Sequence, residues 1–152
     1  MTRADRPSPR WLTDWSGRVL GTLGLVSWAV YLVALLSSSF PEDQWGDPLP
    51  FIVLAEITLL AVLALIASAF PTAFRSYSVF VILAASGALA MLVFLGIWTI
   101  GTGILPSAVF FLSAGVLLSF RRHVGFAAPI GAFVAGVVAQ FLLFLVIHAV
   151  RY

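Results

Sequence analysis

Five apolar runs, each long enough to cross a bilayer and almost empty of charge, constrain this chain more than any other feature. They cover about residues 19–38, 51–70, 77–99, 103–120 and 125–150. At ~1.5 Å of rise per residue, helices of such lengths match a hydrocarbon core about 30 Å thick. Lipid offers backbone N–H and C=O groups no partner, so each run must close its hydrogen bonds internally, as an α-helix does. The expected fold is all-α, a polytopic transmembrane helical bundle of five spans. Composition agrees: 62% of residues are hydrophobic and 9% charged, whereas a soluble domain carries about 25% charged residues to wet its surface.

The polar segments between the runs are short. Residues 1–18, "MTRADRPSPRWLTDWSGR", form a polar amino-terminal segment with Arg3, Arg6, Arg10 and Arg18. The run that follows resembles a signal peptide in order, but it is nearer twenty residues than the usual 7–15, and "LLSSSFPED" holds no small-residue cleavage site. It is read as an uncleaved first helix. "SFPEDQWGDPLP" is an acidic, proline-rich loop, "PTAFRSY" and "RRHVG" are basic turns, and "IGTG" joins the third and fourth runs. Pro106 falls in the first turn of the fourth run, where a missing N–H costs little. The third junction is so brief that a tight helical hairpin is needed. A four-span chain with one re-entrant segment is the alternative.

Charge sets the expected orientation. The amino terminus, the Arg75 turn and the Arg121–Arg122–His123 turn alternate onto one side with seven of the eight arginines; the loop of Glu42, Asp43 and Asp47, the "IGTG" turn and Arg151 fall on the other. Arginine-rich short loops stay cytoplasmic. The amino terminus is therefore expected inside and the carboxyl terminus outside, with 1–18 cytoplasmic and 19–150 as the five-helix membrane domain. Trp11, Trp15 and Tyr77 then lie near the inner interface, and Trp45, Trp98 and Tyr152 near the outer, as an aromatic belt requires. Basic residues are all arginine, a bias of GC-rich bacterial genomes, so the expected location is a bacterial inner membrane, multi-pass. A weak echo at an offset of 46 aligns Phe74–Arg75 with Phe120–Arg121 and Phe80 with Phe126.

Few polar groups interrupt the runs. Glu56 lies about six residues after Pro50, roughly 9 Å below the helix start and on a face with Leu60, Leu63 and Ala67. An ionised carboxylate there must pair, protonate, snorkel or face protein or water. His148 and Arg151 at the outer end of the fifth run, with Thr99 and Thr102, are its expected partners, in a clasp between the second and fifth helices. Gln140, deeper in the fifth run, is expected to bond another helix. Together Glu56, Gln140, His148 and Arg151 form the candidate intramembrane polar cluster. The fifth run also carries a stripe of small residues, Ala128, Gly131, Ala132, Ala135 and Ala139, with Gly136 and Gln140 toward its shoulder and His148 roughly opposite. Small residues let helix backbones approach closely, so helix packing is expected there, with Gly131 and Ala135 at the contact. Ala84 to Ala88 with Ala90 on the third run, and Gly17-x-x-x-Gly21 on the first, carry similar spacings.

Several chemistries find no support. The chain has no cysteine, hence no disulfide or thiolate metal site. His123 and His148 sit at opposite ends of their spans and cannot share an ion, so neither a metal nor another cofactor is expected. No serine triad converges and no phosphate-cradling loop is present. A formal charge of +2 is too small to argue for nucleic acid, and none is expected as a partner. No catalytic residue is assigned. The expected role is a non-catalytic subunit or accessory factor of a membrane complex, with the lipid bilayer, other membrane subunits or a second copy as partners. A small oligomeric transporter or channel with Glu56 and Gln140 near the path is the alternative, and an integral-membrane enzyme ranks below both.

Overall fold

The computed structural model describes residues 10–37, 49–70, 77–96 and 101–151. They form five helices: α1 (Arg10–Ser37), α2 (Leu49–Ala69), α3 (Ser78–Leu95), α4 (Gly101–Arg121) and α5 (Ala127–Arg151). No strand occurs among the described residues. Each helix is long and apolar enough to cross a membrane. The five-span fold replaces the re-entrant alternative, because α3 and α4 are separate full-length helices packed along one another.

Helices α1 to α4 close into a four-helix ring. Neighbours pack in the order α1–α2–α3–α4 and back to α1, with slight contact between α2 and α4 across the middle. The ring's centre is filled by Trp28 of α1, Ile57 and Ala61 of α2, Ile82 and Leu89 of α3, and Phe111 and Ala114 of α4. Trp28 is 1% exposed, and its ring N–H needs an acceptor in so dry a place. It donates to Thr58 Oγ1 at 3.0 Å, and the Thr58 hydroxyl donates on to the Leu54 carbonyl at 2.7 Å. That relay ties α1 to α2. Gly24 lets the Phe111 ring lie against the backbone of α1.

Helix α5 stands outside the ring. It packs along α3 and makes no extended contact with α1, α2 or α4 among the described residues. The two basic hairpins thus differ. Helices α2 and α3 pack side by side, whereas α5 leaves α4 after the turn. The sequence echo at an offset of 46 has no counterpart in packing.

Three boundaries differ from the sequence reading. Helix α1 begins at Arg10, inside the segment assigned as polar tail, since no proline separates Trp11 from the first span and a formed helix propagates readily. Its membrane-length part runs Trp15–Ser37. Helix α3 stops at Leu95 and α4 starts at Gly101, whose N–H donates to the Gly96 carbonyl at 2.6 Å. A Cβ at Gly101 would collide with the Val93 and Gly96 carbonyls, so the hairpin needs glycine there. With α4 starting early, Pro106 lies in its second turn rather than its first.

The turn after α4 ends the helix in the left-handed conformation. His123 has φ 51. Its N–H donates to the Phe120 carbonyl at 3.3 Å, and the Val124 N–H donates to the Ser119 carbonyl at 3.2 Å. This is a Schellman cap, with histidine at the position usually given to glycine. Phe120 and Phe126 close the turn edge to face, 5.5 Å apart.

Candidate functional site

Helices α3 and α5 meet backbone to backbone. A Cβ on Gly87 would strike the Phe133 carbonyl, and one on Gly136 would strike the Ala84 carbonyl. The two glycines thus set the closest approach, and Cα–H to carbonyl contacts become available along it. This fixes which face of α5 looks inward: Pro129, Gly136 and Gln140 are buried, and Phe133 and Ala132 are half-buried.

The expected contact at Gly131 and Ala135 is not made among the described residues. Ala128, Gly131, Ala135 and Ala139 are exposed, and a Cβ on Gly131 would meet nothing within 4 Å; of the stripe, Ala132 alone packs against the core. The reason is the glycine pair. Two glycines allow a closer seam than an alanine row, so α5 turns Gly136 inward and leaves the stripe on its flank. The sequence reading had noted Gly136 only as the stripe's shoulder; Gly87 and Gly136 matching across two helices was the signal it missed.

Because α5 packs along α3 without extended contact to α2 among the described residues, a groove of about 360 Å³ opens beside the seam on the α2 side. Its floor is the small-residue cluster of α3, Ala84, Ala85 and Ala88. One wall is Leu60 and Leu63 of α2; the other is Gly136, Ala139, Gln140 and Leu143 of α5. Gln140 is 6% exposed and makes no hydrogen bond among the described residues. Its amide N and O are not sealed off, so they reach the open groove, where their demand for hydrogen bonds can be met. The other hydroxyls in the spans mostly meet that demand locally: Ser68, Ser86 and Ser113 donate to carbonyls three or four residues back. The buried hydroxyls of Ser78 and Ser107 have no such partner.

Glu56 is half-buried and lies one turn from Leu60, on the face of α2 that walls this groove. It makes no hydrogen bond or ion pair with another described side chain. The expected clasp to His148 is not formed, because α2 and α5 do not pack on each other. His148 is exposed on the other flank of α5, stacked on Phe144 at 6.3 Å. Arg151 ends α5, with its side chain outside the described residues. Thr99, Trp45, Trp98, Tyr152, the Arg75 turn and the acidic loop also lie outside them, and Thr102 is exposed. The candidate cluster therefore resolves into Gln140 in the groove, Glu56 at its margin and His148 elsewhere. No group of three metal-ligating side chains comes together among the described residues.

Chemically the groove offers an amide, which can donate and accept, on an otherwise apolar surface. It suits a helix backbone or a neutral ligand. No protein-family model matches the sequence, and no curated protein or solved structure is significantly similar to it.

Proposed function

We propose that the chain is a small accessory subunit of a membrane complex, holding other membrane helices without catalysis of its own. The observation that carries this reading is α5, a full membrane-length helix attached along one seam and open on the rest of its surface. Helix association in lipid relies on close packing and interhelical hydrogen bonds rather than on apolarity. The exposed small residues of α5 and the Gln140 amide are suited to both. The split of arginines supports a bacterial inner-membrane location with the amino terminus in the cytoplasm and the carboxyl terminus outside. A reporter fused after Tyr152 is expected to behave as periplasmic; a cytoplasmic signal would overturn that orientation.

The tagged chain, drawn from its native membrane in mild detergent, should bring other integral membrane polypeptides in fixed ratio. Removing residues 125–152 should release them. A second reading, a small transporter, gains from Gln140 lining the groove with Glu56 at its margin. Liposomes holding only this chain separate the two: ion flux abolished by Glu56→Gln, with the fold intact, would favour transport over the accessory role.

A further inference from the structure

A second groove runs on the other side of the α3–α5 seam, between α4 and α5. Two cavities of about 310 and 230 Å³ compose it, and they share Leu112 and Phe133. Its floor is one stripe of α3: Leu83, Ser86, Ala90 and Val93. Its long wall is α4, from Phe120 through Val116 and Leu112 to Leu105, and α5 gives Phe126, Ile130 and Phe133 opposite. Leu105, Val116, Phe120 and Ile130 are exposed, so the groove is open sideways to lipid. One end differs from the rest. Phe120 and Phe126 both line it, and the turn that joins them carries Arg121, Arg122 and His123. Just inside that end lies Ser119, which is 7% exposed and whose hydroxyl makes no hydrogen bond among the described residues. Ser68, Ser86 and Ser113 donate to carbonyls of their own helices. The Ser119 hydroxyl is not sealed in as those of Ser78 and Ser107 are, so it opens into the groove.

We propose that this groove binds an acidic phospholipid, with one acyl chain lying between α4 and α5 and the phosphate held at the Arg121–Arg122–His123 turn. The order of groups along the groove is the order along such a lipid. Cations stand at the surface for the phosphate, a hydroxyl one turn deeper for an ester carbonyl, and apolar walls beyond for the chain. Guanidinium groups suit a phosphate because they can bond two of its oxygens at once. Basic pockets between membrane helices are a recurrent way of holding acidic headgroups. The charge of this end favours an acidic lipid over a zwitterionic one: the three segments on this side carry seven arginines against Asp5 and Asp14. Length fits as well. From Phe120 to Leu105 the groove follows α4 for about 22 Å, more than the ~15 Å that one leaflet contributes to the hydrocarbon core. An acyl chain entering at the turn therefore stays within it to its end. A helix, about 10–12 Å across with its side chains, would have to part Phe120 from Phe126, whose rings touch edge to face 5.5 Å apart. An acyl chain lies along them.

The test uses the purified full chain in mild detergent, mixed with dioleoyl phosphatidylglycerol or dioleoyl phosphatidylcholine, with native mass spectrometry and thermal unfolding as readouts. The acidic lipid should be retained about tenfold more than the zwitterionic one, one molecule to each 16.3 kDa chain. Arg121→Gln and Arg122→Gln should each lower that preference about fivefold. Ser119→Ala should weaken retention of both lipids roughly threefold and leave the preference between them unchanged. Val116→Trp fills the groove away from the charges and should abolish retention. Leu23→Trp, on α1 and as exposed as Val116 (42% against 41%), should change nothing. Inorganic phosphate should not stabilise the chain, which separates a lipid from a free anion. Equal retention of the two lipids, stabilisation by inorganic phosphate alone, or a preference untouched by Val116→Trp would each overturn the proposal. The last result would leave only attraction to a basic surface. A cross-link from Val116→Cys to a second copy or to another polypeptide would overturn it as well. If Val116→Trp unfolds the chain, the arginine and serine variants still decide the question. All these readings use the purified chain alone, so they can fail while the accessory role stands.

Discussion

Helices α3 and α5 read alike as sequence, and the fold uses them in opposite ways. Both are mostly apolar, both run in the same direction, and both carry a cluster of alanine and glycine. Helix α3 has neighbours on three sides, and 56% of its span is buried; among the described residues α5 packs along α3 only, and the figure is 11%. Apolarity cannot separate the two cases, because lipid tails are as apolar as leucine and a helix faces either at similar cost. What separates them is where backbone must touch backbone. In α3 the cluster serves several neighbours, and Ala85, Ser86, Gly87 and Ala88 are all buried. In α5 only Pro129, Gly136 and Gln140 are buried, and the stripe apart from Ala132 looks out.

The comparison breaks first at the seam. Gly136→Leu forces a side chain against the Ala84 carbonyl, a backbone atom that cannot swing aside. The expected loss is about 3 kcal/mol, the upper end for overpacking, read as earlier thermal unfolding in detergent. A tolerated leucine there would show that α5 is held elsewhere than along α3. The ring has its own weak point. Thr58→Val keeps the shape but removes the acceptor of the Trp28 N–H, and should cost roughly 1–2 kcal/mol. Since α5 takes no part in that relay, cross-linking between α3 and α5 should be unaffected.

Smaller effects sharpen the picture at the turn and on the flank. His123→Gly relieves a left-handed residue in the α4 cap and should raise stability by up to about 1 kcal/mol. A loss of function with stability intact would assign the imidazole a role beyond capping. Gly131→Leu is expected to change the stability of a single chain by less than about 0.5 kcal/mol, in line with other exposed substitutions. A large loss in the monomer would mean the stripe packs inside the chain after all.

How much could be read from the residues differs between fold and site. Length and apolarity alone gave five helices, since lipid leaves a backbone no other way to satisfy itself. The helix ends were less legible. Arg10 to Gly17 looks polar enough to be a tail, yet it extends α1, because a helix once started needs little more to continue. Gln140 was legible as a buried amide from its isolation in an apolar run, and its burial holds. Its role in the groove was not, because nothing local says which helix stands beside it.

The sequence by itself determined that the chain is a bundle of membrane-length helices with two basic turns, for these follow from the energy of each segment in its solvent. The tertiary structure alone decided that four helices close a ring, that α5 stands apart on α3, and that Gly136 rather than Gly131 makes the contact. Those outcomes depend on matching two distant surfaces at once. Gly87 becomes a contact only because Gly136 lies opposite it, and the seam they form leaves Ala135 on the open flank and Glu56 without a partner among the described side chains of α5. Along a single apolar helix every face has nearly the same affinity for lipid, so which face turns inward is settled by the neighbour it meets.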